Sequence, residues 1–292
     1  MAARHPGGQQ STGKDITRHE LFLTTSVYND DIPRAVRILQ GYCGMKPQAS
    51  LRRRLVWEGP RQRPGLRDFD PAFISRQPPG RAEAWKYLHG QMIRQSYIIT
   101  LIYEVERSAF GQAQIHGAQR SSEEVPDRNR TLSCDQSPGT LKWTELPDPV
   151  DSRTVNTRLM LQIENEKGLC TVIQSIGYRF TRQMIQECYQ FINGNVLFEL
   201  SRYLQLPEDV DGTSQTQSHF DSPLPAFEHL TPFDSQNKWV LTISANVFNG
   251  KDQVQMQQGI SELMAIKTEF EGCFNFHMVG RLTLDTRVKI IG

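Results

Sequence analysis

The sequence predicts a mainly β protein of the α+β type, an antiparallel multi-stranded β-barrel with a few flanking helices and long polar insertions. The first observation is a pair of long alternating segments in residues 178–206, joined at Asn193-Gly194. An Asn-Gly pair between apolar runs is a strong hairpin signal, and hairpins favour an antiparallel sheet. The second is the number of strand-like segments, about seven or eight, because closure into a barrel removes unpaired sheet edges.

The two strands of this hairpin alternate between apolar and polar residues. The second strand has an apolar face, shared with Arg202, that consists of Val196, Phe198, Leu200, Leu204 and Leu206. Its opposite face is polar and carries Glu199, Ser201 and Gln205. In the first strand the apolar side changes partway, from Tyr178, Phe180 and Met184 to Ile185, Tyr189 and Phe191. We therefore expect a type I′ turn centred on Asn193 and Gly194, and a β-bulge near Gln186.

The first half of the chain reads as a strand, a helix and further strands. The predicted elements are strands over 19–28, 52–60, 85–89 and 97–105 and a helix over 32–43. Asp30 and Asp31 place negative charge at the start of the helix, and Pro33 is tolerated in its first turn. The strand over 97–105 is almost continuously apolar, so we expect it to be buried on both faces.

The second half of the chain contains the longest predicted helix. The predicted elements are strands over 154–164, 239–248 and 282–290 and helices over 169–176 and 252–270. Gly177 supplies a C-cap for the first of these helices. The second carries an apolar stripe that consists of Met256, Ile260, Leu263 and Phe270.

Long polar segments interrupt the predicted barrel. The chain has 292 residues, and only 38% of them are hydrophobic. We expect residues 1–17 to form a disordered N-terminal tail and residues 18–292 to form a single β-barrel domain. Within this domain, disordered insertions are expected near 108–151 and 207–237, because both segments are rich in polar residues and poor in apolar ones.

Charge and cysteine content narrow the class of protein. The formal net charge is +1, which argues against broad binding to DNA or RNA, since such binding usually needs a basic face. Apolar runs are too short to span a bilayer, and the first residues lack the apolar core of a signal peptide. The five cysteines are scattered without metal-binding spacing, which favours a reducing compartment, the cytosol or the nucleus.

Catalytic motifs are absent from the sequence, and one pair of acids is a candidate metal site. No GxSxG or phosphate-binding Gly-rich loop is present, so no catalytic residue and no cofactor is predicted. Glu104 and Glu106 are two residues apart on a predicted strand and could hold a divalent metal facing a triphosphate. The interpretation that we favour is an exposed strand end with alternating charge, so no metal site is predicted. Arg52, Arg53 and Arg54 could likewise contact a phosphate or an acidic partner, or simply begin a charged strand.

Aromatic residues on both faces of the long hairpin are the better functional signal. Aromatic side chains on a second face of a sheet often mark a protein interface. The predicted partner-binding residues are Tyr178, Phe180, Tyr189 and Phe191. The alternative, which the sequence leaves open, is that the helices of this same chain cover them.

The order of the elements resembles a known family. The segments ELFLTTSV, IPRAVRILQGYCGM and RRRLVWEG come first, and far downstream come the long hairpin and WVLTISANVF. Gly177–Phe180 and Lys238–Leu241 carry the resemblance best. Together these blocks are similar to the Mediator complex subunit 18 family, in a fungal form with enlarged loops. The resemblance covers roughly residues 18–58, 85–106 and 154–280.

The resemblance implies a fold, partners and a location. It implies a multi-stranded antiparallel barrel that pairs with Mediator subunit 20 and receives a helix from the C-terminal part of subunit 8. These subunits would belong to the Mediator head module, a nuclear coactivator assembly that contacts RNA polymerase II. No enzymatic activity is implied. The alternative is a triphosphate-tunnel-type, metal-dependent phosphohydrolase, but the Glu-x-Glu-x-Lys motif of that class is absent at Glu20 and only partly present at Glu104–Arg107.

Overall fold

The computed structural model describes residues 17–62, 65–111, 134–149, 153–207, 220 and 222–289. The strands in this part of the chain are β1 (Thr17–Val27), β2 (Gln48–Glu58), β3 (Ile98–Val105), β4 (Gly139–Thr144), β5 (Asn156–Glu166), β6 (Arg179–Asn193), β7 (Val196–Gln205), β8 (Thr231–Pro232) and β9 (Trp239–Val247). The α-helices are α1 (Ile32–Cys43), α2 (Pro71–Ser75), α3 (Pro79–Arg94), α4 (Leu169–Ser175) and α5 (Gln253–Glu269).

All strands except β8 form one closed barrel. Their order is β6-β2-β3-β4-β5-β1-β9-β7, and β7 pairs back to β6 through the hairpin. Every pairing within the barrel is antiparallel. The short β8 adds to β7 outside this closure. The predicted antiparallel, multi-stranded β-barrel is therefore confirmed.

The apolar face of the barrel wall points outward, where helices cover it. Helix α5 packs on β1 and β9, and α1 packs on β6. They share one buried cluster with residues of the wall such as Leu21, Phe198 and Leu241. Helices α3 and α4 share a second cluster with β2 to β5, which includes Trp57 and Trp85. Because side chains alternate along a strand, the remaining wall positions face the barrel interior.

Three helices confirm the predictions made from periodicity and capping. Helix α1 ends before Gly44, which has a φ of 63°, and α4 is followed by Gly177 with a φ of 103°. The Asp252 carboxylate caps α5 by accepting hydrogen bonds from two backbone N–H groups of its first turn. Within the described residues, none of the helices combines the length and the apolar character that crossing a bilayer requires.

A glycine allows α5 to lie close against the barrel. A Cβ added at Gly259 would stand 2.7 Å from Cδ1 of Leu21, well inside van der Waals contact. A larger residue would require the Leu21 side chain or the helix to shift, so glycine at this position favours the close packing of α5 on β1.

The hairpin forms as predicted, but its turn and its bulge lie elsewhere. Asn193 pairs with Val196, so the central residues are Gly194 and Asn195. Of these two, Gly194 alone has a positive φ, which is the pattern of a type II′ turn rather than type I′. The bulge lies at Thr181, not near Gln186, because β2 pairs Val56 with Arg182 and the next residue with Phe180. This bulge brings Phe180 into phase with the outward-facing residues of β6.

The predicted strand over 85–89 is wrong, because this segment lies in the middle of helix α3. Its buried residues are Ala84, Trp85, Leu88 and Met92, which recur at helical spacing. The expectation that the strand over 97–105 is buried on both faces is only half right. The outward-facing residues of β3, Ile99, Leu101 and Tyr103, are buried. The residues between them face the interior and are partly or fully exposed.

Parts of the two predicted insertions are ordered. Strand β4 lies within 108–151 and forms part of the barrel wall, so disorder is wrong for Gly139–Thr144. Within 207–237, Leu224 and Leu230 are buried against Ile185 and Leu204 of the hairpin. A mostly polar segment can therefore be ordered when its few apolar residues are buried in a hydrophobic cluster. Residues 1–16, 112–133 and 208–219 lie outside the described residues, and Thr17 already belongs to β1.

The predicted last strand over 282–290 is also wrong. Residues 281–284 form a 3-10 helix, and a single bridge joins Arg287 to Tyr97. The segment is held by separate backbone hydrogen bonds, such as that from the Ile98 N–H to the Thr286 carbonyl. It therefore crosses one end of the barrel without entering the wall.

Candidate functional site

The barrel interior holds a polar cavity of about 720 Å³. Its lining comes from all eight barrel strands together with the segment that precedes β4. The charged side chains among the lining residues are Arg18, Glu20, Arg52, Arg54, Glu104, Lys142, Glu164 and Glu199. Each of them except Arg18 is next to at least one apolar residue on its strand, so the same alternation that builds the outer clusters also places these charges inside.

An ion-pair network centred on Glu20 lies deep in this cavity. The Arg158 Nε donates to Glu20 Oε2 at 2.5 Å, and the Lys142 Nζ lies 3.7 Å from Glu20 Oε1. Burial alone would raise the pKa of Glu20, but Lys142 and Arg158 outweigh it and lower that pKa to about 2. Burial lowers the pKa of Lys142, and Glu20 opposes this change. The carboxylate is therefore held by two cations.

A second polar network joins β2 to the hairpin along the inner face of the barrel wall. Arg52 lies 3.2 Å from Glu199 and donates to Gln190 at 2.9 Å. Arg54 donates to the side-chain oxygen of Gln186 at 2.9 Å and to the Tyr203 hydroxyl at 3.1 Å. Both hydrogen bonds that orient Arg54 are accepted by neutral side chains. These contacts hold the guanidinium groups in fixed directions.

The three consecutive arginines have different surroundings. Arg52 and Arg54 face the cavity, whereas Arg53 points outward and donates to Gln183 and to the Ser222 carbonyl. The sequence offered two readings, a phosphate or acidic-partner contact and a charged strand entry. Because alternation divides the run between the two faces of β2, neither reading applies to all three residues.

The candidate metal pair is not brought together. Glu104 lines the cavity, but β3 ends at Val105, and Glu106 accepts a hydrogen bond from the Ser108 hydroxyl beyond the strand. Among the described residues, no group of three or more His, Cys, Asp or Glu side chains is placed to hold a metal ion. The arrangement therefore offers charged groups but no metal-ligand set of the kind that a hydrolytic metal centre needs.

The four aromatic residues predicted to bind a partner occupy different environments. Tyr178 is buried in the cluster of α3 and α4, and Phe191 is buried in the cluster of α1 and α5. Phe180 packs on Trp57 with ring centroids 5.7 Å apart, and Tyr189 stacks on Trp239 at 5.6 Å. The last two are partly exposed. The structure does not bring the four together on one surface, and their contact with a partner stays a prediction.

Sequence reasoning missed the charged interior altogether. The sequence pattern did not show that other charged side chains share the barrel interior with Glu104. The charges are contributed one or two per strand, as in Arg18 and Glu20 of β1 or Arg52 and Arg54 of β2. The signal that could have found them is this spacing of two residues on separate strands, and only the pairing of the strands shows that they converge.

The sequence of this chain is similar to that of a known protein family. The model of the family described as Med18 protein matches residues 19–287. Mediator of RNA polymerase II transcription subunit 18 from Aspergillus oryzae is 26% identical over 282 residues, which cover 93% of this chain and 100% of the relative. The protein of that name from Aspergillus fumigatus is 26% identical over 289 residues, with the same coverage.

One solved structure supports the architecture. A chain in the structure of the Schizosaccharomyces pombe Mediator head module matches with a TM-score of 0.57. The match covers 89% of this chain and 98% of that chain, at 14% sequence identity. Identity this low supports a shared fold and nothing finer.

Proposed function

The chain belongs to the Med18 protein family, and on that basis we propose that it serves as a non-enzymatic subunit of the Mediator head module. The observation that carries the proposal is the extent of the family match, which runs across the whole barrel rather than over a single motif. A match of this extent covers both the wall strands and the helices that pack on them. The function then lies in assembly within a coactivator complex that links regulators to RNA polymerase II, in the nucleus.

The interior of the barrel favours assembly over hydrolysis as the function. The acids in the deep part of the cavity are already engaged, Glu20 by two cations and Glu199 by Arg52. Glu104 and Glu106 diverge at the end of β3. Among the described residues, no group of three or more His, Cys, Asp or Glu side chains is placed to hold the catalytic metal that the phosphohydrolase alternative requires.

The partners follow from the resemblance of the chain to the family. We expect a heterodimer with Mediator subunit 20, a contact with a helix of subunit 8, and contact with RNA polymerase II only through the assembled complex. A partner that binds only the folded state of a subunit stabilises that subunit. Co-expression with subunit 20 is therefore expected to yield a soluble one-to-one complex, whereas the chain expressed alone is expected to be poorly soluble or only marginally stable. A monodisperse monomer that ignores subunit 20 would contradict this proposal.

The hairpin supplies our proposed contact residues for a partner. Phe180 and Tyr189 present partly exposed rings, while Tyr178 and Phe191 lie beneath the neighbouring surface and hold the strands in place. The Tyr189 ring rests on Trp239, and the Arg202 guanidinium lies 4.9 Å from the centre of the Trp239 ring system on which it packs. Rigid aromatic side chains supported in this way are frequent hot spots of protein interfaces.

Substitution of these rings tests the proposed surface. Tyr189→Ala and Phe180→Ala are each expected to weaken binding to the partner subunit by about 2 kcal/mol, or roughly thirtyfold in Kd. The control is Val254→Ala, an apolar residue that is 76% exposed at the start of α5. Titration calorimetry measures the affinities, and thermal melting confirms that each variant is folded. Equal affinities for all three variants would place the interface away from the hairpin.

A further inference from the structure

Strand β6 extends beyond its neighbour β7 at one end of the barrel. The pairing of the two strands stops where Met184 meets Gln205, so the first residues of β6, Arg179–Gln183, pair with β2 alone. The short β8 does not cover this stretch, because it pairs with the opposite side of β7. The segment Arg179–Gln183 is therefore an open strand edge, which we call the β6 edge.

The β6 edge presents backbone groups without a partner. Outward-facing residues of β6 direct their N–H and C=O groups towards β7, since Asn193 and Val196 exchange both hydrogen bonds beside the turn. The bulge at Thr181 brings Phe180 into this outward phase, so its N–H and C=O point to the side where β7 has ended. Neither group has a hydrogen-bond partner among the described residues. Unpaired groups of this kind are a template for another strand.

Two exposed arginines lie on one face of the β6 edge. Arg182 is opposite Val56, and Arg179 is opposite Glu58. These two β2 residues are two positions apart, so the arginines opposite them share the inward face. Within the described ranges neither arginine forms an ion pair, and the carboxylate of Glu58 is already bound to Arg61 at 2.5 Å. The bulge thus creates a cationic face from residues that are three apart in the sequence.

Aromatic rings flank the β6 edge on both faces. On the inward face, Phe233 is 50% exposed, and the Arg182 guanidinium lies 5.7 Å from the centre of its ring. On the outward face, the Phe180 ring is partly exposed beside Trp57. An added strand, whose side chains alternate, would place every second side chain against the arginines and the others beside Phe180.

We infer that the β6 edge binds an extended acidic segment of a partner protein by strand addition. Phe180 supplies main-chain hydrogen bonds, and alternate carboxylates of the added strand face Arg179 and Arg182. A second copy of this chain is disfavoured as the occupant, because pairing two such edges would set like charges against one another. The inference does not depend on assembly in the head module, since an isolated peptide tests it.

Fluorescence anisotropy with a labelled peptide that alternates glutamate and valine tests this edge. We expect saturable one-to-one binding to the full-length wild-type chain. Binding to Arg182→Glu is expected to be at least about fivefold weaker, because an attraction across the two strands becomes a repulsion. The control Arg37→Glu makes the same charge change at an exposed position of α1 and should bind as the wild type does. A peptide that alternates lysine and valine should not bind.

Backbone methylation of the peptide separates strand addition from attraction between charges. The acidic peptide with N-methyl groups at alternate residues keeps every carboxylate but cannot form a ladder of hydrogen bonds, so we expect it not to bind. Hydrogen exchange gives a second readout. The Phe180 amide is expected to exchange more slowly in the presence of the unmethylated peptide and at an unchanged rate with the methylated one.

Four results would overturn the inference. The first is absence of binding of the acidic peptide to the folded wild-type chain. The second is equal binding of the methylated and unmethylated peptides, which indicates diffuse attraction to the surface. Binding that appears only after residues 208–211, EDVD, are replaced by glycine and serine would assign the edge to this chain's own acidic segment. A dimer in sedimentation that the acidic peptide dissociates would assign the edge to a second copy.

Discussion

Phe198→Ala is expected to lower the free energy of unfolding by about 3–5 kcal/mol. Phe198 lies on β7, is fully buried and points away from the barrel interior. Its ring contacts Tyr42 at 5.7 Å and Phe270 at 6.1 Å, at the ends of the two helices that cover this side of the wall. Truncation leaves a cavity between the wall and both helices, so the cost includes lost contacts as well as lost burial.

The neighbouring residue provides the matched control. Leu197 precedes Phe198 on the same strand, but it lines the polar cavity and is only partly buried. Leu197→Ala is therefore expected to cost less than about 2 kcal/mol. Chemical denaturation of both variants measures the difference. A barrel with its apolar core inside predicts the reverse order, so a larger loss for Leu197→Ala would contradict the outward-facing arrangement.

Glu20→Gln is expected to cost about 3 kcal/mol of stability at neutral pH. The substitution removes the carboxylate that lies between Lys142 and Arg158, and Glu20 itself is only 12% exposed. Two mostly buried cations are then left without their shared partner. Glu164→Gln is the control, since Glu164 is exposed and forms no ion pair among the described residues, and its effect is expected to stay within about 0.5 kcal/mol. Equal effects of the two substitutions would show that the network contributes nothing.

Acid should remove this contribution in a defined pH range. The pKa of Glu20 is about 2 in the folded protein, below its ordinary value of 4.5. A carboxylate with a lowered pKa stabilises the fold fully above its ordinary pKa and loses that effect as the pH falls towards the lowered one. The stability difference between the wild type and Glu20→Gln is therefore expected to be constant above about pH 5.5 and to shrink between pH 4.5 and pH 2. Denaturation at a series of pH values measures it.

The sequence predicts the strongly periodic elements of the fold well. Helix α1 has negative charge before it and Gly44 after it, and α5 has Asp252 as its cap, so local signals define both ends. The strand β1 and the hairpin alternate over many residues. The barrel could be inferred because so many strands in one chain need closure to remove their edges.

The elements that were mispredicted depend on information beyond a short window. Strand β4 has six residues within a polar stretch, and it is stabilised by pairing with β3 and β5 on either side. The segment around Trp85 looks like a strand over five residues, but burial of Leu88 and Met92 reveals the helical period. Strand pairing and tertiary packing determine these elements, and a short stretch of sequence carries no information about either.

The candidate site was the least predictable part. Arg52 and Glu199 lie far apart in the sequence and meet only because β2 and β7 both flank β6. The aromatic residues of the hairpin were recognisable as a group, but the bulge at Thr181 and the covering helices determine which of them remain accessible. Both outcomes follow from strand register, which a single sequence specifies only weakly.

The most direct test of the account is affinity purification of the tagged chain from nuclear extract at moderate salt, followed by mass spectrometry. Assembly in the Mediator head module predicts stoichiometric recovery of the head subunits, led by subunits 20 and 8. The same purification with Phe180→Ala and Tyr189→Ala combined is expected to recover less of the direct partner. Recovery of the folded wild-type chain alone would contradict the account.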